Sequence, residues 1–237
     1  MASISEQSFG QRYTKARGLQ TYLGTIPTYA PVNPDLAIPA FTTFLDGVLT
    51  SNTDVDAKLT ILQTERDTRL NLYLNSETGL IVRCAQIRDH FASTETKGKK
   101  SKNFEKAQKI TQRMRGRRLG KIPPTPPGGT PAKKISTSEV SFGSVLAAGR
   151  ELLEVIKSVA GYAPSNTNIT VANFTSFLNS IEQKNTLIYQ RLEQYDNDVE
   201  VRMEKYITLK DRVSKIKAAL ASQFGKNSNE YKDSLSY

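Results

Sequence analysis

The sequence is poor in the side chains that most chemistry requires. Among its 237 residues there is one Cys, one His and no Trp. The lone Cys84 excludes an intramolecular disulfide framework, and Cys84 with His90 falls short of the ligands that zinc or iron–sulfur sites take. No cofactor is expected, and an all-carboxylate magnesium or calcium site is the metal class left open. Nowhere do 18 consecutive apolar residues occur, and the first 25 residues hold no apolar run of signal-peptide length. Neither a membrane span nor secretion by that route is expected, which leaves the cytoplasm as the default location.

Charge is abundant but unevenly placed. The chain carries 33 Lys/Arg against 23 Asp/Glu, a formal charge of +10. Residues 97–134 hold 13 of these cations against the single acid Glu105, a net of +12, so the other 199 residues sum to about −2. Two nearly neutral bodies thus flank a concentrated basic segment, unlike a uniformly basic protein.

A shift of 133 residues aligns the two flanking bodies without a gap, and 23 of 89 positions are then identical between residues 3–91 and 136–224. Ser8-Phe9-Gly10 falls on Ser141-Phe142-Gly143, Tyr29-Ala30-Pro31 on Tyr162-Ala163-Pro164, and Phe41-Thr42-x-Phe44-Leu45 on Phe174-Thr175-x-Phe177-Leu178. Asn52, Arg69, Tyr73 and Phe91 fall on Asn185, Arg202, Tyr206 and Phe224. Three multi-residue blocks at one offset point to an internal duplication.

Each copy reads as three helices. The first starts at Ser5 or Ser138, with an apolar stripe through Phe9, Tyr13, Ala16, Leu19, Leu23 and Ile26, and through Phe142, Leu146, Gly149, Leu152, Ile156 and Val159. The second is long, with Pro39 suited to its first turn. Its apolar positions step by three and four from Phe41 to Tyr73 and from Phe174 to Tyr206, a coiled-coil-like seam of about 36 residues. Asn52 and Asn185 interrupt that seam at equivalent places: either they are buried and set helix register, or they sit at exposed turns. Asn75-Ser76-Glu77-Thr78-Gly79 ends the long helix in the first copy, and a shorter helix follows at about Leu80–Phe91 and Leu209–Phe224, the latter stopped by Gly225. The expected fold is all-α: a tandem duplication of a medium-long-short antiparallel three-helix bundle, residues 1–96 and 136–237, joined by a basic, Pro-rich linker, residues 97–135.

Ile135-Ser136-Thr137-Ser138-x-x-Ser141-Phe142, the Tyr-Ala-Pro-x-Asn step in both halves, Arg115-Gly116-Arg117-Arg118, and the ending Phe224-Gly225-x-x-Ser228-x-Glu230-Tyr231-Lys232 together resemble an uncharacterised family of duplicated all-helical proteins from Bacteroidota. The resemblance covers essentially the whole chain. It implies a two-repeat helical fold and a bacterial cytoplasm, and brings no catalytic residue with it. The first copy departs from the closing pattern, because its Gly98-x-x-Ser101-x-x-Phe104 arrives about six residues late.

The central segment divides by composition. After the lysine cluster Lys97–Lys102, residues Asn103–Leu119 set Phe104, Ala107, Ile110 and Met114 on one helical face with most cations off it, which predicts a short basic amphipathic helix. Ile122–Pro131, with five Pro and two Gly, reads as an extended spacer. Catalysis is not expected. On a helix Cys84 and His90 lie on different faces, the acids of the long helices lack a Glu-x-x-His pair, and no Gly-rich phosphate loop follows a strand. No small-molecule substrate is evident. Two non-catalytic classes are left. In one, the protein binds nucleic acid, DNA or RNA, by its backbone through Lys97, Lys99, Lys100, Lys102, Lys106, Lys109, Arg113, Arg115, Arg117, Arg118 and Lys121. In the other, it is a self-associating structural subunit whose long helices pack against neighbouring copies and whose linker bridges them.

Overall fold

The computed structural model describes residues 4–116 and 141–237, with side chains from Phe9 onward in the first segment. Among these residues the protein is all-helical. Helix α1 spans Ile4–Gly24, α2 Ile38–Leu74, α3 Leu80–Thr94, α4 Lys102–Met114, α5 Phe142–Lys157, α6 Val171–Phe224 and α7 Asn229–Ser234, with single 3₁₀ turns at Pro34–Leu36, Gly98–Lys100 and Thr167–Ile169. No described helix is long and apolar enough to cross a membrane.

Caps and turns follow the sequence signals. The side chains of Asn33 and Asn166 accept hydrogen bonds from the amides of Asp35 and Asn168, opening the two equivalent 3₁₀ turns. The hydroxyls of Tyr29 and Tyr162 donate to the carbonyls of Leu36 and Ile169, at 3.1 and 3.0 Å, and lock each turn to the segment before it. Helix α5 begins at Phe142 behind the N-cap Ser141, whose side chain accepts from Ser144 N–H, three residues later than the expected Ser138, which lies outside the described residues.

The third helix differs between the copies. In the first, Asn75 Oδ1 accepts from the amides of Glu77 and Thr78, both at 2.9 Å, and closes a turn before α3. Gly79 is required there, because a Cβ would come within 2.6 Å of the Asn75 carbonyl oxygen. In the second copy the expected break near Leu209 is absent, and α6 runs unbroken for 54 residues, since Thr208-Leu209-Lys210-Asp211 has neither the Asn nor the Gly that the turn uses. The extra residues of the turn move the register. Arg83 stacks on Phe177 and donates to Asn168 O, whereas Arg212 stacks on Phe44 and donates to Asp35 O. Phe44 and Phe177 are 133 apart but Arg83 and Arg212 only 129. The ungapped alignment therefore ends at the turn, and the expected pairing of Phe91 with Phe224 is replaced by Phe91 with Leu220.

Compact units do not follow the segments 1–96 and 136–237. The first unit combines Met1–Leu62 with Gln190–Tyr237, and the second is Gln63–Tyr189. The reason lies in helix length: α2, 37 residues, is about 55 Å long, whereas α1, 21 residues, is about 32 Å and cannot cover it. The far end of each long helix is covered by residues of the other copy. In the second unit Tyr73 of α2 packs on Phe142 at 4.8 Å, Arg69 lies over the same ring, and Asn185 Nδ2 donates to Tyr73 Oη at 3.1 Å. In the first unit Tyr206 of α6 packs on Phe9 at 4.6 Å, Arg202 lies over that ring, and Asn52 Nδ2 donates to Tyr206 Oη at 2.9 Å. Both Asn side chains are thus engaged across helices rather than fraying into solvent.

The first core gathers Leu19, Leu23, Phe41, Leu45, Ile216 and Leu220, among others; the second gathers Leu80, Ile87, Phe91, Leu152, Phe174 and Leu178. The expected seam holds at both ends of α2, but Leu70 is 43% exposed and Met203 on α6 46%. There Arg69, half-buried, and Arg202, buried, face inward instead, each laying its guanidinium over a Phe ring.

Candidate nucleic-acid interface

The basic amphipathic helix forms, but as part of a folded unit and not as part of a linker. Gly98, at φ 53°, turns the chain out of α3, and Ser101 caps α4 by accepting from Phe104 N–H. Phe104, Ala107, Ile110 and Met114 are all buried in the second core, where α4 packs on α3 and α5. Residues 97–116 of the expected linker 97–135 therefore belong to the folded unit. The reason is energetic: Phe104, Ile110 and Met114 contribute about 1.5–3 kcal/mol each when buried, and Ala107 less, which favours docking this face of the 13-residue helix on the core.

Docking one face orients the other. Lys102, Lys106, Lys109 and Arg113 recur at steps of four, three and four, so they share one stripe about 16 Å long opposite the buried face. The three lysines are exposed, as are Lys97, Lys99 and Lys100 before the helix and Arg115 at its C-cap. Arg117, Arg118 and Lys121, the expected end of the helix at Leu119, and the spacer Ile122–Pro131 lie outside the described residues. Of the eleven expected phosphate-binding residues, eight are thus described, on a single turn-helix element.

One feature of this surface could not be read from the segment itself. An open groove runs between α4 and α5, with Lys106, Lys109 and Arg113 on one wall, Glu151 and Glu154 on the other, and Ile110 and Val155 at its floor. Arg113 is ion-paired with Glu151, and Glu154 with Lys157 at 2.8 Å. Both pairs are largely solvent-exposed, so each contributes no more than about 1 kcal/mol and yields readily to a competing anion.

Cys84 and His90 are not brought into one site. Cys84 is fully buried in the second core, and burial pushes its thiol pKa well up, so it is an inert core side chain. His90 lies edge-on to the Tyr162 ring at 5.1 Å. Among the described residues no group of three His, Cys, Asp or Glu is placed to hold a metal ion. No protein-family model, no curated protein and no solved structure matches the chain.

Proposed function

We propose that the protein binds nucleic-acid backbone through α4 and the turn before it, without reading base sequence. The observation that carries this is the stripe of Lys102, Lys106, Lys109 and Arg113 on the solvent face of a helix anchored by its opposite side, flanked by Lys97, Lys99 and Lys100. A stripe of about 16 Å is long enough to meet a few successive phosphates of one strand. Base stacking has no platform on this helix, because its only aromatic ring, Phe104, is 6% exposed. If five to eight cations meet phosphates of a duplex, log affinity should fall against log salt with a slope of about −4.5 to −7. Fluorescence anisotropy with duplexes of unrelated sequence, titrated across salt, tests this. Replacing Lys102, Lys106 and Lys109 together by Gln should flatten the slope by about 2.7 or less. An unchanged slope, or no binding by the native chain at low salt, overturns the reading.

A second reading, a self-associating structural subunit, is favoured by one observation. Leu70 and Leu74 on α2 and Met203 and Ile207 on α6, 133 residues apart, are all more than 40% exposed. Apolar pairs left in solvent at matching places on both long helices suit helix–helix association. Sedimentation at high salt separates the readings, since burial of Leu70 or Met203 in an oligomer is not screened as contacts of Lys106 are.

A further inference from the structure

The short helix α7 occupies in the first unit the place that α4 has in the second. Gly225 and Gly98 both carry positive φ, 87° and 53°, and Ser228 and Ser101 then cap their helices by accepting from the amide three residues on. But α4 has 13 residues and α7 only six. In the second unit the last turns of α4 bring Ile110 and Met114, each 2% exposed, onto α3 and α5. In the first unit α7 stops at Ser234, and a cavity of about 300 Å³ opens between α1 and α6, with Tyr237 as one wall.

The residues around the two places differ in kind. At the cavity the rim carries Arg12, Lys15 and Lys210. Their counterparts in the second unit are Val145, Ala148 and Ile81, all buried or packed against the core. Where a described helix covers the groove its margin is apolar, and where none of the described helices does the margin is cationic. Among the described residues no carboxylate side chain lines the cavity, and none of the three cations is ion-paired. The floor is apolar, with Ala16 and Leu209 at 2% and 3% exposure and Val213 beside them. Tyr206 forms a wall with its ring alone, because its hydroxyl already accepts from Asn52 and donates to Phe9 O.

We propose that this cavity binds a small organic anion, an apolar body seated on the floor with a phosphate, sulfonate or carboxylate head held by Arg12, Lys15 and Lys210. The volume is at the small end of the range for small-molecule sites, and few but convergent charges over an apolar floor are what such sites present. Inorganic phosphate lacks the body and a neutral detergent lacks the head, so neither should occupy it. The site uses none of the residues of α4, so it stands or falls apart from nucleic-acid binding.

The test is titration of the full-length protein with 1-anilinonaphthalene-8-sulfonate, followed by its fluorescence at moderate salt. Saturation at one probe per chain is expected. Lys15→Glu with Lys210→Glu, both exposed positions whose exchange leaves the core alone, should weaken probe binding roughly tenfold or more. Val213→Phe should block it while leaving the thermal transition cooperative. Competition then identifies the body: displacement by decyl phosphate marks a lipid-like ligand, and displacement by adenosine monophosphate a nucleotide. Displacement by neither, displacement by inorganic phosphate alone, or unchanged binding in the charge-reversed variant overturns the proposal.

Discussion

The two compact units are assembled by one rule and yet differ in their charge and in their closing helix. Each takes a short helix from one copy and the far end of the long helix from the other, fixed by an Asn–Tyr hydrogen bond, a Tyr–Phe ring contact and an Arg over the same Phe. But the first unit has 13 Lys/Arg and 13 Asp/Glu, whereas the second has 20 against 10, so it carries the whole net charge. The second also has the full α4, the first only α7. Shared packing contacts set the architecture, and the places where the units diverge are the places with a functional reading: a basic stripe in one, a cation-rimmed cavity in the other. The interior constrains both alike through close packing, and charge on the solvent face is free to vary.

The largest effect should come from separating the parts that each unit borrows. Residues 1–116 and 141–237, expressed apart, should each be poorly helical by circular dichroism and should regain helicity on mixing, because Tyr73 loses Phe142 and Tyr206 loses Phe9. Two independently folded fragments would break the comparison by showing that each copy closes its own core. Next in size is the contrast between closing helices. Met114→Ala should destabilise by about 2–5 kcal/mol, whereas Leu235→Ala, at a side chain 53% exposed after α7, should stay within about 0.5 kcal/mol in denaturant melts.

A smaller effect attends the Asn–Tyr pairs. The Nδ2 of Asn52 and of Asn185 is bonded to Tyr, but among the described residues neither Oδ1 meets a donor. Asn185→Leu alone should cost about 1 kcal/mol, and Asn185→Leu with Tyr73→Phe should be close to neutral, since removing both partners leaves nothing unsatisfied. The Asn52 and Asn185 changes should add, each lying in its own unit. The mildest test is alkaline. Burial pushes the Tyr29 hydroxyl up to about 12 and that of Tyr162 higher still, against about 10 in the unfolded chain. The folded state thus keeps protons that the unfolded state releases. This contribution is complete below pH ~10 and is lost as pH rises from about 10 towards 12. Tyr29→Phe with Tyr162→Phe should flatten that limb of the stability curve.

Much of this was legible in residue order. The stripe from Phe9 to Ile26, the stop at Asn75–Gly79 and the buried face Phe104, Ala107, Ile110, Met114 all follow from helical period and turn chemistry, which act within a few residues. The eight described cations of the candidate interface were legible too, because a docked amphipathic helix must turn its charged side outward. Glu151 and Glu154 were not, since they come from a helix more than 30 residues away in sequence. Nor was the unbroken α6, because the break was inferred by analogy with the first copy, where Asn75 and Gly79 make it.

What the sequence determined by itself is therefore the helices of the first half and α4 and α5, most of their buried faces and the concentration of charge around α4, but neither the unbroken α6 nor α7, since local hydrogen bonding and hydrophobic period need no distant partner. What only the tertiary structure decided is which face meets which. An apolar stripe specifies that it must be covered but not by what, and a long helix that outreaches its neighbour is satisfied by any complementary stripe within reach. Here that stripe belongs to the other copy, which is why Tyr73 lies on Phe142 and Tyr206 on Phe9.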